Sequence, residues 1–171
     1  LIIALSALVS CHKNPKNNND SNSPEILYER AEIMRKKAQF DSSFILYKLA
    51  SAGFRKNQDW ESFIKSEIGI ADYYRIKGQL DEALKKITET ELTGRNKVKI
   101  NDIGFANIYH KKGIILSDKG DFEHSNIFLN KSIAIRLDLN GPRDTLLALS
   151  YNGLGTNYLY QGKFDEALKY Y

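Results

Sequence analysis

Three hexapeptides recur at one step along this chain. Gly78-Gln79-Leu80-Asp81-Glu82-Ala83, Gly120-Asp121-Phe122-Glu123-His124-Ser125 and Gly162-Lys163-Phe164-Asp165-Glu166-Ala167 each follow the last by 42 residues. Glycine opens each block, a large apolar residue stands third, an acid fourth and a small residue sixth. A fixed step of this size is the mark of stacked like units, each burying its apolar face against the next, and not of one closed core. The pattern therefore narrows the fold before any other property is considered.

Between the blocks, apolar residues recur at helical spacing. With only 3 prolines and 11 glycines in 171 residues, long helices are favoured over a loop-rich β fold. Ser23-Pro24-Glu25 reads as a helix start, with serine as N-cap, proline at the first helical position and an acid in the first turn. Breaks at Ala38-Gln39, Asn57-Asp59, Lys77-Gly78, Thr93-Gly94, Asn101-Asp102, Lys119-Gly120, Asn140-Gly141-Pro142 and Gln161-Gly162 divide the chain into helix pairs over 24–57, 59–93, 102–139 and 143–171, the last incomplete. Short turns between consecutive helices imply antiparallel neighbours.

Aligned on their turns, the pairs agree in residue size. The last reads Leu154-Gly155, Tyr158, Gly162, Phe164, Ala167, Tyr171; before it come Lys112-Gly113, Leu116, Gly120, Phe122, Ser125, Leu129 and Ile70-Ala71, Tyr74, Gly78, Leu80, Ala83, Ile87. A degenerate first copy reads Arg30-Ala31, Met34, Ala38, Phe40, Ser43, Tyr47 and lacks the turn glycine. Small residues let the two helices of a pair approach, aromatic and aliphatic ones fill the space around them, and glycine makes the turn where a positive φ is needed. This pattern resembles the tetratricopeptide repeat (TPR) family over residues 24–171. The resemblance implies an all-α fold of antiparallel helix pairs stacked as a right-handed solenoid. The step exceeds the usual 34 residues, and the eight extra residues per repeat add roughly 12 Å of helix. Trp60, Asp102 and Asp144 are expected in an added first turn of the first helix, while the second helix runs on at its end. This long-helix style resembles the arrays of signalling regulators and motor light chains.

The resemblance also implies a concave groove lined by the first helix of each pair. It assigns to that groove Tyr28, Glu32 and Arg35, then Lys65, Ile68, Asp72 and Arg75, then Asn107, His110, Lys111 and Ile114, and finally Asn152, Thr156 and Tyr160. This mixed polar and aromatic lining suits a protein or peptide ligand. One TPR subclass clamps C-terminal carboxylates with lysine and asparagine. The corresponding places here hold Ile68 and Asp72, His110 and Ile114, and Asn152 and Thr156, so that clamp is absent.

Nothing in the chain reads as catalytic. Neither His110 nor His124 has an acid or nucleophile at a telling spacing. Gly153-Leu154-Gly155 begins a dinucleotide fingerprint, but Tyr158 stands where the third glycine belongs, and the P-loop spacing fails as well. The tyrosines at 151, 158, 160, 170 and 171 read as packing before sugar stacking, and Trp60 as packing of its helix start. One cysteine with three scattered histidines builds neither an internal disulfide nor a zinc site. No cofactor, metal or small-molecule substrate is expected. The net charge of +4 is spread along the chain and mixed with 21 acids, unlike the single basic face of a nucleic-acid binder.

Residues 1–11 carry a separate message. Leu1–Val9 is an uncharged apolar run, too short to span a bilayer, which takes about 20 residues, and of the length of a signal-peptide core, roughly 7–15 residues. Leu8-Val9-Ser10-Cys11 behind it resembles a bacterial lipoprotein signal box, which implies a lipid on Cys11. Residues 12–23 (HKNPKNNNDSNS) lack apolar side chains and read as a disordered tether. The expected location is the bacterial cell envelope, lipid-anchored and facing the periplasm. The start looks clipped, and the stop at Tyr171 falls inside a helix, so the native protein is expected to continue.

Two functions follow. One is a non-catalytic, exported TPR scaffold that binds a protein or peptide. The other is the sensory ectodomain of a longer signalling protein, with a histidine kinase or DNA-binding output beyond residue 171.

Overall fold

The computed structural model describes residues 22–98 and 103–171. The lipid-site expectation at Cys11, most of the tether and Asp102 lie outside the described residues.

Eight α-helices follow one another, with no strand among the described residues: α1 (Pro24–Lys36), α2 (Phe40–Asn57), α3 (Trp60–Ile76), α4 (Leu80–Arg95), α5 (Ile103–Asp118), α6 (Phe122–Asn140), α7 (Leu147–Tyr160) and α8 (Phe164–Leu168). Each packs on its successor, and α5 also packs on both α3 and α7. The odd-numbered helices thus share one layer and the even-numbered helices follow behind them. This is the all-α stack of helix pairs that the repeated blocks imply.

The starts and turns have local causes. The Ser23 hydroxyl accepts from the Ile26 N–H at the head of α1, with Pro24 in the first turn. Asp59 and Asp121 cap α3 and α6 in the same way, accepting from Ser62 and His124. Within the pairs, Gly78, Gly120 and Gly162 adopt φ of +74°, +80° and +73°. The N–H of each glycine donates to the carbonyl three residues back (Arg75, Ser117, Leu159), and the next N–H to the carbonyl five residues back (Tyr74, Leu116, Tyr158). These two bonds define a Schellman turn, which satisfies carbonyls the helix end would leave open. The first pair makes the same turn without glycine: Ala38 stands at φ +56° and repeats both bonds.

The aligned small residues are all buried: Ala31, Ala71, Gly113 and Gly155 on the first helices and Ser43, Ala83, Ser125 and Ala167 on the second. An added Cβ at Gly113 would stand 2.8 Å from Leu129 Cγ, so only glycine admits α6 at this distance. Tyr47, Ile87 and Leu129 fill the matching site on α2, α4 and α6, each at most 1% exposed.

Two local expectations fail. Gly94 does not end α4, which runs on to Arg95. Gly94 is buried, and a Cβ there would meet Phe105 at 3.3 Å and Ile64 at 3.4 Å. Its smallness serves packing between helices and not a break. Asp144 does not open the first turn of α7 either. Residues 141–143 form a short 3-10 turn through Pro142, α7 begins at Leu147, and the Asp144 carboxylate accepts from the Leu146 N–H just before it.

Candidate functional site

One recess of about 330 Å3 opens among the odd-numbered helices. It is lined from α1 by Tyr28, Glu32 and Arg35, from α3 by Lys65, Ile68, Gly69 and Asp72, and from α5 by Asn107, His110 and Lys111, with Tyr47 of α2 and Leu146 and Leu149 at the start of α7. On α1 residues 28, 32 and 35, and on α3 residues 65, 68 or 69, and 72, follow one another at three or four positions, which places each set on one helix face. Nine of the residues expected in the groove thereby meet around one recess. Arg75 stands at its edge, bonded to Asp72. Asn152, Thr156 and Tyr160 do not line it. Thr156 meets the Tyr171 hydroxyl at 3.3 Å, and the Tyr160 ring packs on Phe122.

The floor is a charged network. Lys111 Nζ donates to Asp72 Oδ1 at 2.6 Å, and Arg75 Nε donates to the same oxygen at 2.9 Å. Arg75 reaches on to Asp118 at 2.9 Å. Burial works against the Asp72 carboxylate, but Lys111 and Arg75 outweigh it and hold its pKa below the usual range. Burial lowers the Lys111 ammonium, against the pull of Asp72.

At the α1 end, Arg35 donates to Glu32 Oε2 at 2.7 Å and the Tyr47 hydroxyl donates to Glu32 Oε1. Burial opposes Glu32 ionisation, yet these two donors keep its pKa lowered. Burial and the neighbouring Glu32 carboxylate push the Tyr28 phenol up to about 12 and raise Tyr47 as well. Both phenols stay protonated and able to donate.

His110 belongs to a different layer of support. Its Nδ1 lies 3.0 Å from Ser150 Oγ, which donates to Ser132 Oγ, and Ser132 donates to the Ala106 carbonyl. Burial, reinforced by Lys111 and Arg136, lowers its pKa to about 4. The ring is neutral at physiological pH and ties α5 to α7.

Sequence reasoning missed four contributors, Arg136, Gly69, Leu146 and Leu149. Arg136, on the extended end of α6, is 2% exposed; it donates to Asn107 Oδ1 and, at 3.3 Å, to Asp144 Oδ2. Asn107 is therefore held from behind. Gly69 leaves room for the Tyr47 ring, and its place inside a helical run was the available signal. Leu146 and Leu149, 42% and 52% exposed, form an apolar rim. Elsewhere, Trp60 packs edge-on against Phe63, Tyr158 stacks on Tyr170 at 5.4 Å, and His124 stands exposed beside its helix-capping Asp121, all as packing or surface residues. Among the described residues no group of three or more His, Cys, Asp and Glu gathers as a metal site, and no helix is long and apolar enough to cross a membrane.

Comparison with known proteins agrees with this geometry. The tetratricopeptide repeat family profile matches residues 104–171. No curated protein matches the chain's sequence at a significant level. Among solved structures, BtubC (BKLC) from P. vanneervenii superposes with a TM-score of 0.70 at 18% identity, over 86% of this chain and 59% of that one. A Podosopora anserina protein, described as a candidate kinesin light chain with nearly identical TPR-like repeats, gives a TM-score of 0.70 at 17% identity over 89% and 73%. The chain thus spans less than two thirds of BtubC. No catalytic family is indicated, and the similarity to these structures establishes the fold. Residues 104–171 thus match the tetratricopeptide repeat family, and the described stack of helices shares the TPR solenoid fold of these structures.

Proposed function

We propose that this chain is a non-catalytic scaffold that holds a peptide segment of a partner protein in the recess between α1, α3, α5 and α7. The observation that carries the reading is the convergence of Tyr28, Arg35, Lys65, Asn107, Lys111 and the Leu146–Leu149 rim around one opening. Donors at the floor and exposed leucines at the edge suit a segment that offers backbone carbonyls or carboxylates together with one apolar side chain. The test is selection of peptides from a displayed random library, followed by titration against Leu149→Glu and Tyr28→Ala. Selected peptides should bind the wild-type chain and lose at least tenfold with either variant. Equal affinity for all three proteins would refute the groove.

We further propose that the scaffold is exported and anchored through a lipid on Cys11, on the strength of the apolar run and the signal-like box before it. Cys11→Ser should move the expressed protein from the membrane fraction to the soluble one.

A further inference from the structure

A second recess lies on the other side of α3. It measures about 540 Å3 and is lined by Phe44, Lys48, Ser51, Ala52, Arg55 and Lys56 of α2, Phe63, Glu67, Ile70 and Tyr74 of α3, and Lys86 of α4. The α3 residues at 63, 67, 70 and 74 form one stripe, and those facing the first recess, at 65, 68, 69 and 72, form another. The two openings are distinct.

Charge is unevenly placed around this cleft. Its one acid, Glu67, is already satisfied: Ser51 donates to Oε1 at 2.6 Å and Lys86 pairs with Oε2 at 2.6 Å. Lys48 lies over the Phe44 ring, 5.4 Å from its centre. Arg55 and Lys56 are exposed and form no ion pair among the described residues. Glu82 and Glu89 of α4 line an adjoining recess with Lys85, so the excess of positive charge belongs to the α2 wall. Both Arg55 and Lys56 also suit the last turn of their helix, where cations favour the macrodipole. That role does not extend to Lys48, two turns earlier. The cations from Lys48 to Lys56 and the ring of Phe44 follow one side of α2 for three turns, roughly 18 Å at 1.5 Å per residue. About five residues of extended chain cover that length.

We infer that the cleft between α2 and α4 is a second docking site, for an acidic peptide segment of a partner protein. Carboxylates of that segment meet Lys48, Arg55 and Lys56, and an apolar side chain enters between Phe44, Phe63 and Ile70. The volume lies within the range of ligand-binding clefts, about 300–1,000 Å3. This site stands independently of the groove reading, because the two openings share no lining residue.

The probe is a fluorescein-labelled peptide of glutamates flanking a Leu-Phe pair, titrated into the full chain by anisotropy. Binding should weaken as salt rises, and Lys48→Glu/Lys56→Glu should weaken it at least tenfold, with circular dichroism and thermal unfolding reporting that the fold is kept. Lys48→Ala/Arg55→Ala should give a smaller loss in the same direction. Leu149→Glu, in the other recess, should bind the probe as wild type does. The inference is overturned if the wild-type chain does not bind the probe, if the charge-reversed lysine peptide binds equally, or if the α2 variants retain wild-type affinity. It is also overturned if Leu149→Glu loses the binding instead, or if an oligonucleotide of equal charge binds as tightly as the peptide.

Discussion

The Tyr47 ring lies flush against the backbone of Gly69, so close that an added Cβ would fall 2.7 Å from two of its atoms. This contact lets the Tyr47 hydroxyl reach Glu32 across the first recess. Gly69→Ala should therefore destabilise the chain by about 1–3 kcal/mol through overpacking, despite the better helix propensity of alanine. Urea denaturation checks this. In a Tyr47→Leu background the same change should become neutral or stabilising.

The turns offer a matched pair of tests. Gly120→Ala places a Cβ at φ +80° and should cost about 1–2 kcal/mol. Ala38→Gly removes the same strain at φ +56° and should stabilise the chain by several tenths to about 1 kcal/mol, net of the added chain entropy. Opposite shifts in midpoint denaturant concentration are the expected result.

Asp72 and Lys111 are 13% and 16% exposed at the side chain, so removing Asp72 strands the Lys111 ammonium, whereas removing Lys111 leaves Asp72 paired with Arg75. Asp72→Asn should destabilise by about 2–4 kcal/mol. The double change Asp72→Leu/Lys111→Met should cost less than Asp72→Asn alone. Thermal unfolding of the wild type, Asp72→Leu, Lys111→Met and the double variant closes the cycle and measures the coupling.

His110 gives the chain a pH dependence of defined sign. Its folded-state pKa is lowered from 6.5 to about 4, so the unfolded chain binds more protons between those values. Stability is fully present above about pH 6.5 and falls as pH drops toward 4, by about 2–3 kcal/mol for this group. Asp72 and Glu32, whose pKa values are also lowered, add their losses only below their unfolded values of 3.8 and 4.5. His110→Gln should flatten the stability profile between pH 6.5 and 4.5, as followed by denaturation at a series of pH values.

Much of the fold was legible because size is legible. The alternation of Ala71, Gly113 and Gly155 with Ile87, Leu129 and Tyr171 states which helix faces touch, and the spaced glycines state where the chain reverses. The recess was legible in part: residues on α1, α3 and α5 were placed together by the family resemblance, which assigns them to the first helix of each pair. What failed depended on the ends of elements. Gly94 looks like a break in sequence but meets Phe105 and Ile64 in space. Asp144 looks like the start of a helix but holds the buried guanidinium of Arg136, a residue eight positions away on the previous helix. The cleft along α2 was invisible for a related reason. Its walls come from three helices, and its one acid, Glu67, is paired from α4 by Lys86, which leaves the α2 cations without an acid in the cleft.

The reversals at Ala38, Gly78, Gly120 and Gly162 share one further consequence. Each is closed by the same two main-chain hydrogen bonds and one backbone angle, whatever side chains stand beside it. The bend between partner helices is therefore written in the peptide backbone, while the exposed positions along the helices are left free. An exposed side chain on such a helix can be exchanged without changing how the pair bends.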